Sequence, residues 1–401
     1  MWLEALTLQL GYNATLVTLG AMALGIAAGV TGTFLFLRKR ALVSDAISHA
    51  TLPGVGIAFI VMVSLGGDGR SLVGLLLGSA VSAGLGLLCI GWLTKYTRLA
   101  EDAAIGAVLS VFFGFGVVLL TIIQNLSAGR QAGLEGFLLG STAGMLWNDA
   151  IVIAVGGVVT LALVIALRRP MTLVAFDPEY AAARGMNVDR IDLAIMALVM
   201  AVTVVGLKIV GLILIVAMLI IPPVTARFWS DCTDHVVLWS GLLGGAAAYI
   251  GAAISASAPA LPTGPIIVLV SFTFFAASLL FAPGRGVLAA VLRHLRFQRR
   301  VHMRQGLLAL AQGQPIYEAY TLRLLRTSGL VQPDGVATED GKARAAKALL
   351  DEKRWELVRA DQAMEGAAAL YDGLRGLETV LTPDQIAEID SKLGGPEEVP
   401  A

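Results

Sequence analysis

The sequence contains nine apolar runs that are each long enough to cross a lipid bilayer as a helix, which requires about 20 mostly apolar residues. The runs lie near 12–36, 47–65, 71–94, 103–123, 149–167, 191–207, 209–226, 236–257 and 266–282. Only Lys208 separates the sixth run from the seventh, so these two form either two short spans or one broken span. A further glycine-rich run at 134–147 is shorter and predicts a re-entrant or interfacial helix. Together the runs predict an all-α polytopic membrane protein with about nine transmembrane helices.

The charged residues divide the chain into two unlike parts. Residues 1–285 carry 27 charged side chains, whereas the much shorter stretch 286–401 carries 31. We therefore predict a transmembrane domain at 1–285, a basic linker helix at 286–310 and a cytoplasmic domain at 311–401. The tail balances 15 basic against 16 acidic residues and the whole chain has zero net charge, so no nucleic-acid partner is expected.

Basic residues at the ends of the runs predict the orientation in the membrane. If successive spans alternate in direction, eleven basic residues of the membrane part share one side and three lie on the other. The eleven are Arg38, Lys39, Arg40, Lys95, Arg98, Arg168, Arg169, Arg184, Arg190, Arg227 and Arg285. Because cytoplasmic loops of membrane proteins are enriched in lysine and arginine, we expect the amino terminus outside and the carboxyl-terminal tail in the cytoplasm.

Asp45 and His49 form a polar pair at the start of the second predicted span, and ionisable residues in spans are costly and often functional. Their spacing of four residues places them on one helix face, and a carboxylate beside an imidazole suits a divalent transition metal. Pro53 and Gly54 are expected to break or kink the helix and to free backbone carbonyls near the pair. The alternative interpretation is that Asp45 caps the second helix and His49 only bonds to it.

The longest predicted cytoplasmic loop contains the signals of a short helix. Asp177 is placed to cap the helix, Pro178 to begin it, and Glu179 to lie in its first turn. Arg184 precedes Gly185, which is expected to end the helix. A short exposed helix in this position favours docking to a soluble partner, although a solvated connector would have the same pattern.

Two further motifs predict structural roles. An apolar run begins at Gly211 and is closed by Pro222 and the proline that follows it. A second segment, Pro262-Thr-Gly264-Pro, predicts a rigid turn on the outer side of the membrane.

The sequence contains no phosphate-binding loop that would let the chain hydrolyse ATP itself. The nearest approach runs from Gly335 to Gly341-Lys342, but it has one residue too many and no hydroxyl after the lysine. We therefore expect a transport subunit that is not an enzyme. Its energy would come from an ion gradient or from a separate ATPase subunit.

The segment from Asp45 to Gly54 resembles the Asp-x-x-x-His-x-x-Leu-Pro-Gly signature of the zinc/manganese/iron ABC import permeases. Four more segments match that family in its order along the chain. They are Glu101–Gly106, Phe176–Gly185, Leu207–Arg227 and Leu261–Pro265. The resemblance covers about residues 15–282.

The resemblance implies a fold like that of type II ABC importers and import of Mn, Zn or Fe across the bacterial cytoplasmic (inner) membrane. It implies a homodimer, or a heterodimer with a related permease, together with an ABC ATPase subunit and an extracytoplasmic metal-binding protein. By the same resemblance Asp45 and His49 line the metal path, and the segment 177–185 is the coupling helix on the ATPase. The metal is cargo, and no permanently bound cofactor is implied.

Residues 318–395 are similar to the tail that some permeases of this family carry, which in turn resembles iron-dependent repressors. A helix, a two-stranded wing after Gly329 and a second helix imply an α+β winged-helix-like domain. The repressors have a ligand histidine where this chain has Lys353, and no histidine follows His302. The expected role of the tail is therefore docking to the ATPase or autoregulation.

Two other functions stay open at this point. An ion-coupled secondary metal carrier would need an acidic coupling site near the membrane midplane and no ATPase. Asp45 is the acid predicted inside a span, whereas Asp102 and Asp192 lie at span ends, so the pattern favours the permease. The other alternative is a membrane-anchored metal-responsive regulator, against which the missing histidines of the tail count.

Overall fold

The computed structural model describes residues 7, 12–67, 69, 71–125, 147–257, 261–361 and 364–393. The chain divides into two compact units, residues 1–287 and 288–401. The glycine-rich run predicted at 134–147 lies outside the described residues, apart from its last residue.

The described part of the first unit is a bundle of helices. They are α1 (Tyr12–Leu37), α2 (Ala41–Ser64), α3 (Leu72–Tyr96), α4 (Glu101–Gln124), α5 (Trp147–Phe176), α6 (Pro178–Ala183), α7 (Val188–Val210), α8 (Leu212–Arg227), α9 (Thr233–Ala256) and α10 (Thr263–Phe281). Eight of them have the length and apolar composition of a membrane span, and α8 is a shorter apolar helix. The all-helical architecture of this unit is therefore confirmed.

Ion pairs gather helix ends at one side of the bundle. They join Arg38 to Asp192, Lys95 to Asp189, Arg168 to Asp234, and Arg285 to Asp231. The side chain of Arg38 also donates to the carbonyl oxygen of Val174 near the end of α5, which connects these pairs into one region. We call this region, where α1, α3, α5 and α10 end and α7 and α9 begin, the charged end.

The sixth and seventh apolar runs form two helices that meet at Gly211. Helix α7 begins at the charged end. Helix α8 ends there, since its last residue, Arg227, lies 3.3 Å from Asp231, which pairs with Arg285. The chain therefore reverses direction at Gly211, whose φ of 83° is a left-handed conformation that favours glycine. At 1.5 Å per residue, the 16 residues of α8 extend about 24 Å, less than the bilayer core of about 30 Å.

Helices α2 and α8 both continue past the prolines that the sequence places in them. Helix α2 continues through Pro53 to Ser64, and α8 continues through Pro222 and Pro223 to Arg227. Each proline removes one backbone hydrogen bond, but packing against neighbouring helices in a membrane bundle tolerates that loss. At Pro53, where the sequence predicts a break or a kink, the helix is not broken.

Small residues bring α1 and α9 into backbone contact. A methyl group added to Gly25 would lie 2.8 Å from Cβ of Ala248 and closer still to the carbonyl oxygen of Gly244. One turn later, a methyl group added to Gly29 would overlap the carbonyl oxygen of Ser240 on α9. Such contacts support helix association in lipid, where the hydrophobic effect does not drive it.

The segment predicted as a turn before the last span mostly belongs to the span itself, because Thr263, Gly264 and the following proline are already helical. Pro262 precedes the first residue of α10, and Gly264 is buried in its first turn. The hydroxyl of Ser255, near the end of α9, lies 2.7 Å from that of Thr263 and donates to the carbonyl oxygen of Leu261 at 2.8 Å. These bonds hold the end of α9 against the start of α10.

The second unit is also helical. Its elements are α11 (Val287–Ala311), α12 (Ala319–Thr327), α13 (Glu339–Ala360), α14 (Glu365–Ala368), a 3₁₀ turn (Leu377–Thr379) and α15 (Pro383–Lys392). Its largest buried side chain is Trp355, which is fully buried and donates from Nε1 to the carbonyl oxygen of Arg375 at 3.1 Å. Arg354 binds both carboxylate oxygens of Asp390 at 2.6 Å, which holds α15 against α13.

The structure does not support the expected winged-helix domain. In the described residues the predicted wing is a single isolated antiparallel bridge between Val331 and Ala337. A tight turn between them, with a hydrogen bond from Gly335 N to Gln332 O, leaves no length for two strands. Thr338 then caps α13 at once, since its hydroxyl accepts from Gly341 N at 3.1 Å.

Candidate metal site and docking helix

Asp45 and His49 lie on one face of α2, one helical turn apart, as predicted. The distance between Asp45 Oδ1 and His49 Nε2 is 3.5 Å, and the exposed fractions of the side chains are 41% and 16%. Neighbouring helices hold α2 closely: a methyl group on Gly54 would lie 2.6 Å from Cβ of Ser82 on α3. On the other side Leu52 packs against Gly116 of α4. The pair therefore sits on a fixed helix with its carboxylate partly open.

The separation of the two ligand atoms fits a shared cation better than a direct hydrogen bond. Normal N–H···O hydrogen bonds are about 2.7–3.2 Å long, so 3.5 Å is too far for a strong bond between Asp45 and His49. Metal bonds of about 2.1 Å at a tetrahedral angle place two ligand atoms about 3.4 Å apart. The observed geometry therefore matches the spacing needed for two ligands of one metal ion.

The imidazole of His49 has unused bonding capacity. Its Nδ1 atom is buried and has no hydrogen-bond partner among the described residues. The ring packs edge-on against Phe113 of α4, with centroids 5.0 Å apart, and this contact fixes the ring without occupying a nitrogen. Leaving a buried polar atom unpaired is costly, so this atom is one that a bound ion or water would satisfy.

Three hydroxyls of α2 near the pair are engaged within the helix, whereas one carbonyl oxygen beside the pair is not. The buried hydroxyls of Ser44, Ser48 and Thr51 each donate to a carbonyl oxygen of the same helix. Pro53 has no N–H to donate to the carbonyl oxygen of His49 one turn earlier, so that oxygen is available beside the pair. The predicted freeing of a carbonyl thus follows from the proline without the predicted break.

Within the described part of the chain, no three histidine, cysteine, aspartate or glutamate side chains are placed to hold a metal together. Asp45 and His49 supply two ligands, and a structural metal site normally has at least four. Such an incomplete site suits an ion that binds briefly, with water or a second chain completing its coordination.

A partly buried ion-pair network lies immediately before Asp45 and His49, and sequence reasoning missed it. Arg38 and Arg40 flank the turn between α1 and α2, and both contact Asp192 of α7. Arg40 also binds Glu101, the first residue of α4, at 2.8 Å. Between the two arginines, Lys39 adopts a φ of 58°, which is uncommon for a residue other than glycine. The signal in the sequence is the pair of acids at span starts, Glu101 and Asp192.

The helix predicted in the long loop is observed as α6. Asp177 caps it by accepting a hydrogen bond from Tyr180 N at 2.8 Å, and Pro178 is its first residue. It ends before Gly185, whose φ of 80° turns the chain into α7. At the carboxyl end of the helix, the guanidinium of Arg184 donates to the hydroxyl of Tyr180, one turn earlier, at 3.1 Å.

The surface of α6 is open to a partner. Ala181 is its buried residue, whereas Asp177, Glu179 and Arg184 are exposed. Arg38 binds the backbone of α5 at Val174, three residues before Asp177. The open helix is therefore connected through one arginine to the turn that leads into α2, which carries Asp45 and His49.

The fold and the site together define a class: a multi-pass helical membrane protein with a polar pair on a packed helix and an exposed short helix at its charged end. The ABC 3 transport family matches residues 12–282. The chain belongs to this family.

Curated relatives agree with this assignment. The chain is 39% identical over 318 residues to the manganese transport system membrane protein MntC of Bacillus subtilis, covering 79% of this chain and 71% of that protein. It is 37% identical to the zinc transport system membrane protein TroC of Treponema pallidum, covering 71% of this chain and 94% of that protein. The match to the Bacillus protein is longer than the family region, so it extends past residue 282.

A solved structure has the same fold. PsaBC from Streptococcus pneumoniae in complex with Fab contains a chain that is 29% identical, with a TM-score of 0.63. The alignment covers 74% of this chain and 100% of that chain. The similarity therefore includes the complete length of that chain.

Proposed function

We propose that the chain is the permease subunit of an ABC importer that moves a divalent transition metal, Mn, Zn or Fe, into the cytoplasm. Family membership supports the ABC class. The observation that best supports a metal ion as the cargo is the 3.5 Å separation between Asp45 Oδ1 and His49 Nε2. Relatives named for manganese and for zinc support a cation that accepts both oxygen and nitrogen ligands.

The proposed path uses Asp45 and His49 as transient ligands. They replace part of the water shell of the ion, and the carbonyl oxygen of His49 lies on the same helix. A second permease copy, identical or related, would bring another pair to the same path. The exposed fraction of Asp45, 41%, leaves its carboxylate available for that arrangement. A few weak ligands favour passage, because an ion bound by a complete set would leave slowly.

The energy comes from a separate ABC ATPase, and an extracytoplasmic metal-binding protein delivers the ion. Helix α6 is the proposed coupling helix, with Asp177, Pro178, Glu179, Arg184 and Gly185 forming the docking segment. Its exposed surface and its short connection to Arg38 support this role. Closure of the ATPase dimer would move α6 and switch the path from outward-open to inward-open.

The proposed orientation places the charged end in the cytoplasm, the amino terminus outside and the carboxyl terminus inside. The chain then lies in the bacterial cytoplasmic (inner) membrane, with a permease domain at 1–285, a linker helix at 286–310 and a cytoplasmic domain at 311–401. The number of basic residues at the charged end supports this direction. The cytoplasmic domain would dock to the ATPase or regulate it.

Metal uptake by cells that lack their own importer tests the proposal. Cells expressing the chain with its ATPase and metal-binding protein should accumulate manganese or zinc. Asp45→Asn and His49→Gln should each reduce uptake to the level of cells without the chain. Asp102→Asn and His235→Gln are matched controls, since both side chains are exposed at helix starts, and they should leave uptake unchanged.

Wild-type uptake by both site variants at normal expression would show that Asp45 and His49 do not line the path. The ion-coupled carrier is tested separately by inactivating the ATPase partner. Uptake should then stop, whereas a carrier would continue until an ionophore removed the ion gradient.

A further inference from the structure

The second unit contains a strongly basic groove that the transport function does not use. Its volume is about 590 Å³, within the range of about 300–1,000 Å³ that is usual for small-molecule sites. Six cationic side chains line it, and we call it the arginine groove. They are Arg296, Arg299, Arg300 and Arg304 from α11, and Arg344 and Lys347 from α13.

The spacing of these residues shows that two helix faces form the groove. On α11, residues 296, 299, 300 and 304 recur at intervals of three or four, which places them along one stripe. On α13, Arg344 and Lys347 are three residues apart and lie on one stripe as well. Met303 and Leu307 add apolar surface from α11. The groove therefore combines a cationic wall with an apolar part.

Acidic partners neutralise only some of these cations. Arg304 lies 2.5 Å from Glu352, Arg344 lies 3.1 Å from Asp340, and Lys347 lies 3.9 Å from Glu378. The one acid that lines the groove, Asp351, is 3.3 Å from Arg354.

Arg296, Arg299 and Arg300 form no ion pair or hydrogen bond with any described residue. Three unpaired guanidinium groups on one stripe repel one another, and that repulsion is relieved when an anion binds between them. Guanidinium groups bind phosphate through two parallel hydrogen bonds, which makes arginine the preferred residue for recognising this group.

We propose that the arginine groove binds a phosphate-bearing molecule that also has an apolar part. The phosphate would lie against Arg296, Arg299 and Arg300, and the apolar part against Met303 and Leu307. Two sources carry this chemistry: an anionic phospholipid and a soluble nucleotide. Helix α11 begins six residues after the last span ends, and basic clusters beside spans bind anionic headgroups, which favours the lipid.

Binding to the purified full-length chain in detergent tests the proposal. The probes are short-chain phosphatidylglycerol, short-chain phosphatidylcholine and ATP, titrated at low and high salt. Phosphatidylglycerol, ATP or both should bind, with an affinity that falls as salt rises. Binding of phosphatidylglycerol alone identifies the lipid as the ligand, and binding of ATP identifies a soluble source.

The variant Arg296→Gln/Arg299→Gln/Arg300→Gln should weaken anion binding by at least about tenfold. The matched control Arg323→Gln/Lys342→Gln/Lys353→Gln removes the same charge from side chains outside the groove and should bind as the wild type does. Replacing the three groove arginines by lysine keeps the charge, and this variant should bind more tightly than the glutamine variant. The proposal is overturned if neither anion binds, if phosphatidylcholine binds as well as phosphatidylglycerol, or if the two triple glutamine variants lose affinity equally.

Discussion

Arg38 and Asp192 form an ion pair across 154 residues of sequence, linking the end of α1 to the start of α7. The two side chains are largely buried, with exposed fractions of 15% and 14%. Asp192 also contacts Arg40 at 3.2 Å, and Arg38 reaches the backbone of α5 at 2.9 Å. One carboxylate therefore holds two cations at the turn that leads into α2, the helix that carries Asp45 and His49.

Asp192→Asn is expected to destabilise the bundle because it leaves two partly buried guanidinium groups without a full counter-charge. Removing one partner of a buried ion pair typically costs about 3–5 kcal/mol, and the residual exposure of this pair places it at the lower end. Thermal unfolding of the purified chain, followed by differential scanning fluorimetry in detergent, measures the loss.

The matched control is Asp189→Asn, three residues earlier on α7. Asp189 lies 3.3 Å from Lys95, but the exposed fractions of that pair are 64% for the lysine and 84% for the aspartate. Exposed pairs contribute about 0–1 kcal/mol, so this variant should melt close to the wild type. Equal melting temperatures for the two variants would mean that the buried network does not stabilise the fold.

Local signals in the sequence predicted the parts of the site that depend on neighbours in the chain. Asp45 and His49 share a helix face because they are four residues apart, and Asp177 caps α6 because its side chain reaches Tyr180 N. The carbonyl oxygen of His49 also followed from Pro53. In each case the interaction spans about one helical turn.

Contacts between distant segments were not predictable in the same way. The partner of Arg38 is set by how α1, α5 and α7 pack, and neither charge pattern nor hydropathy specifies that packing. The prediction of a two-stranded wing was wrong because it depended on how many residues pair across a turn. Val331 and Ala337 do pair, but the turn between them leaves only one bridge. A glycine-rich segment between helices predicts a turn, and it cannot fix the number of paired residues.

Gly25→Ala is expected to separate α1 from α9. The added methyl group would meet backbone atoms of Gly244 and Cβ of Ala248, and backbone cannot rotate away as a flexible side chain can. The variant should express poorly and lose thermal stability. Gly91→Ala on α3 is the control, because no atom lies within 4 Å of the added methyl group. A Gly25→Ala chain as stable as the control would contradict the proposed role of the contact.

Two substitutions at Asp177 should separate helix capping from charge in ATPase docking. Asp177→Asn keeps a cap but removes the charge, whereas Asp177→Ala removes both and costs about 1 kcal/mol of helix stability. Co-purification of the ATPase with the tagged chain measures docking. If folding of α6 is what matters, the alanine variant should lose the ATPase and the asparagine variant should keep it.

The contribution of charge on α6, the proposed docking helix, is tested at Glu179. Glu179 is exposed in the first turn of α6 and makes no capping bond, so Glu179→Lys changes the surface and not the cap. Reduced co-purification with this variant would assign a direct contact to the carboxylate. Full recovery of the ATPase with Glu179→Lys and Asp177→Ala together would rule out α6 as the docking helix.

Glu352 makes the stability of the second unit dependent on pH. Burial raises the pKa of this carboxyl, but hydrogen bonds from Tyr371 and Arg304, together with the charges of Arg304 and Arg359, outweigh burial and leave the pKa below its ordinary value. Tyr371 donates to Glu352 Oε1 at 2.6 Å and Arg304 to Oε2 at 2.5 Å. Because the folded state favours the ionised form, Glu352 stabilises the unit above the ordinary pKa of about 4.5.

That contribution should disappear as the pH falls below about 4.5 and through the lowered pKa of folded Glu352. Tyr371→Phe removes one stabilising hydrogen bond, so its folded pKa should move back up and the loss on acidification should be smaller. Hydrogen exchange of α13 in the full-length chain, corrected for the intrinsic effect of pH, measures the local stability of each variant. Glu356→Gln on the exposed side of α13 is the control and should follow the wild type at every pH. If Tyr371→Phe loses as much protection on acidification as the wild type, the hydrogen bond to Glu352 does not set this pH dependence.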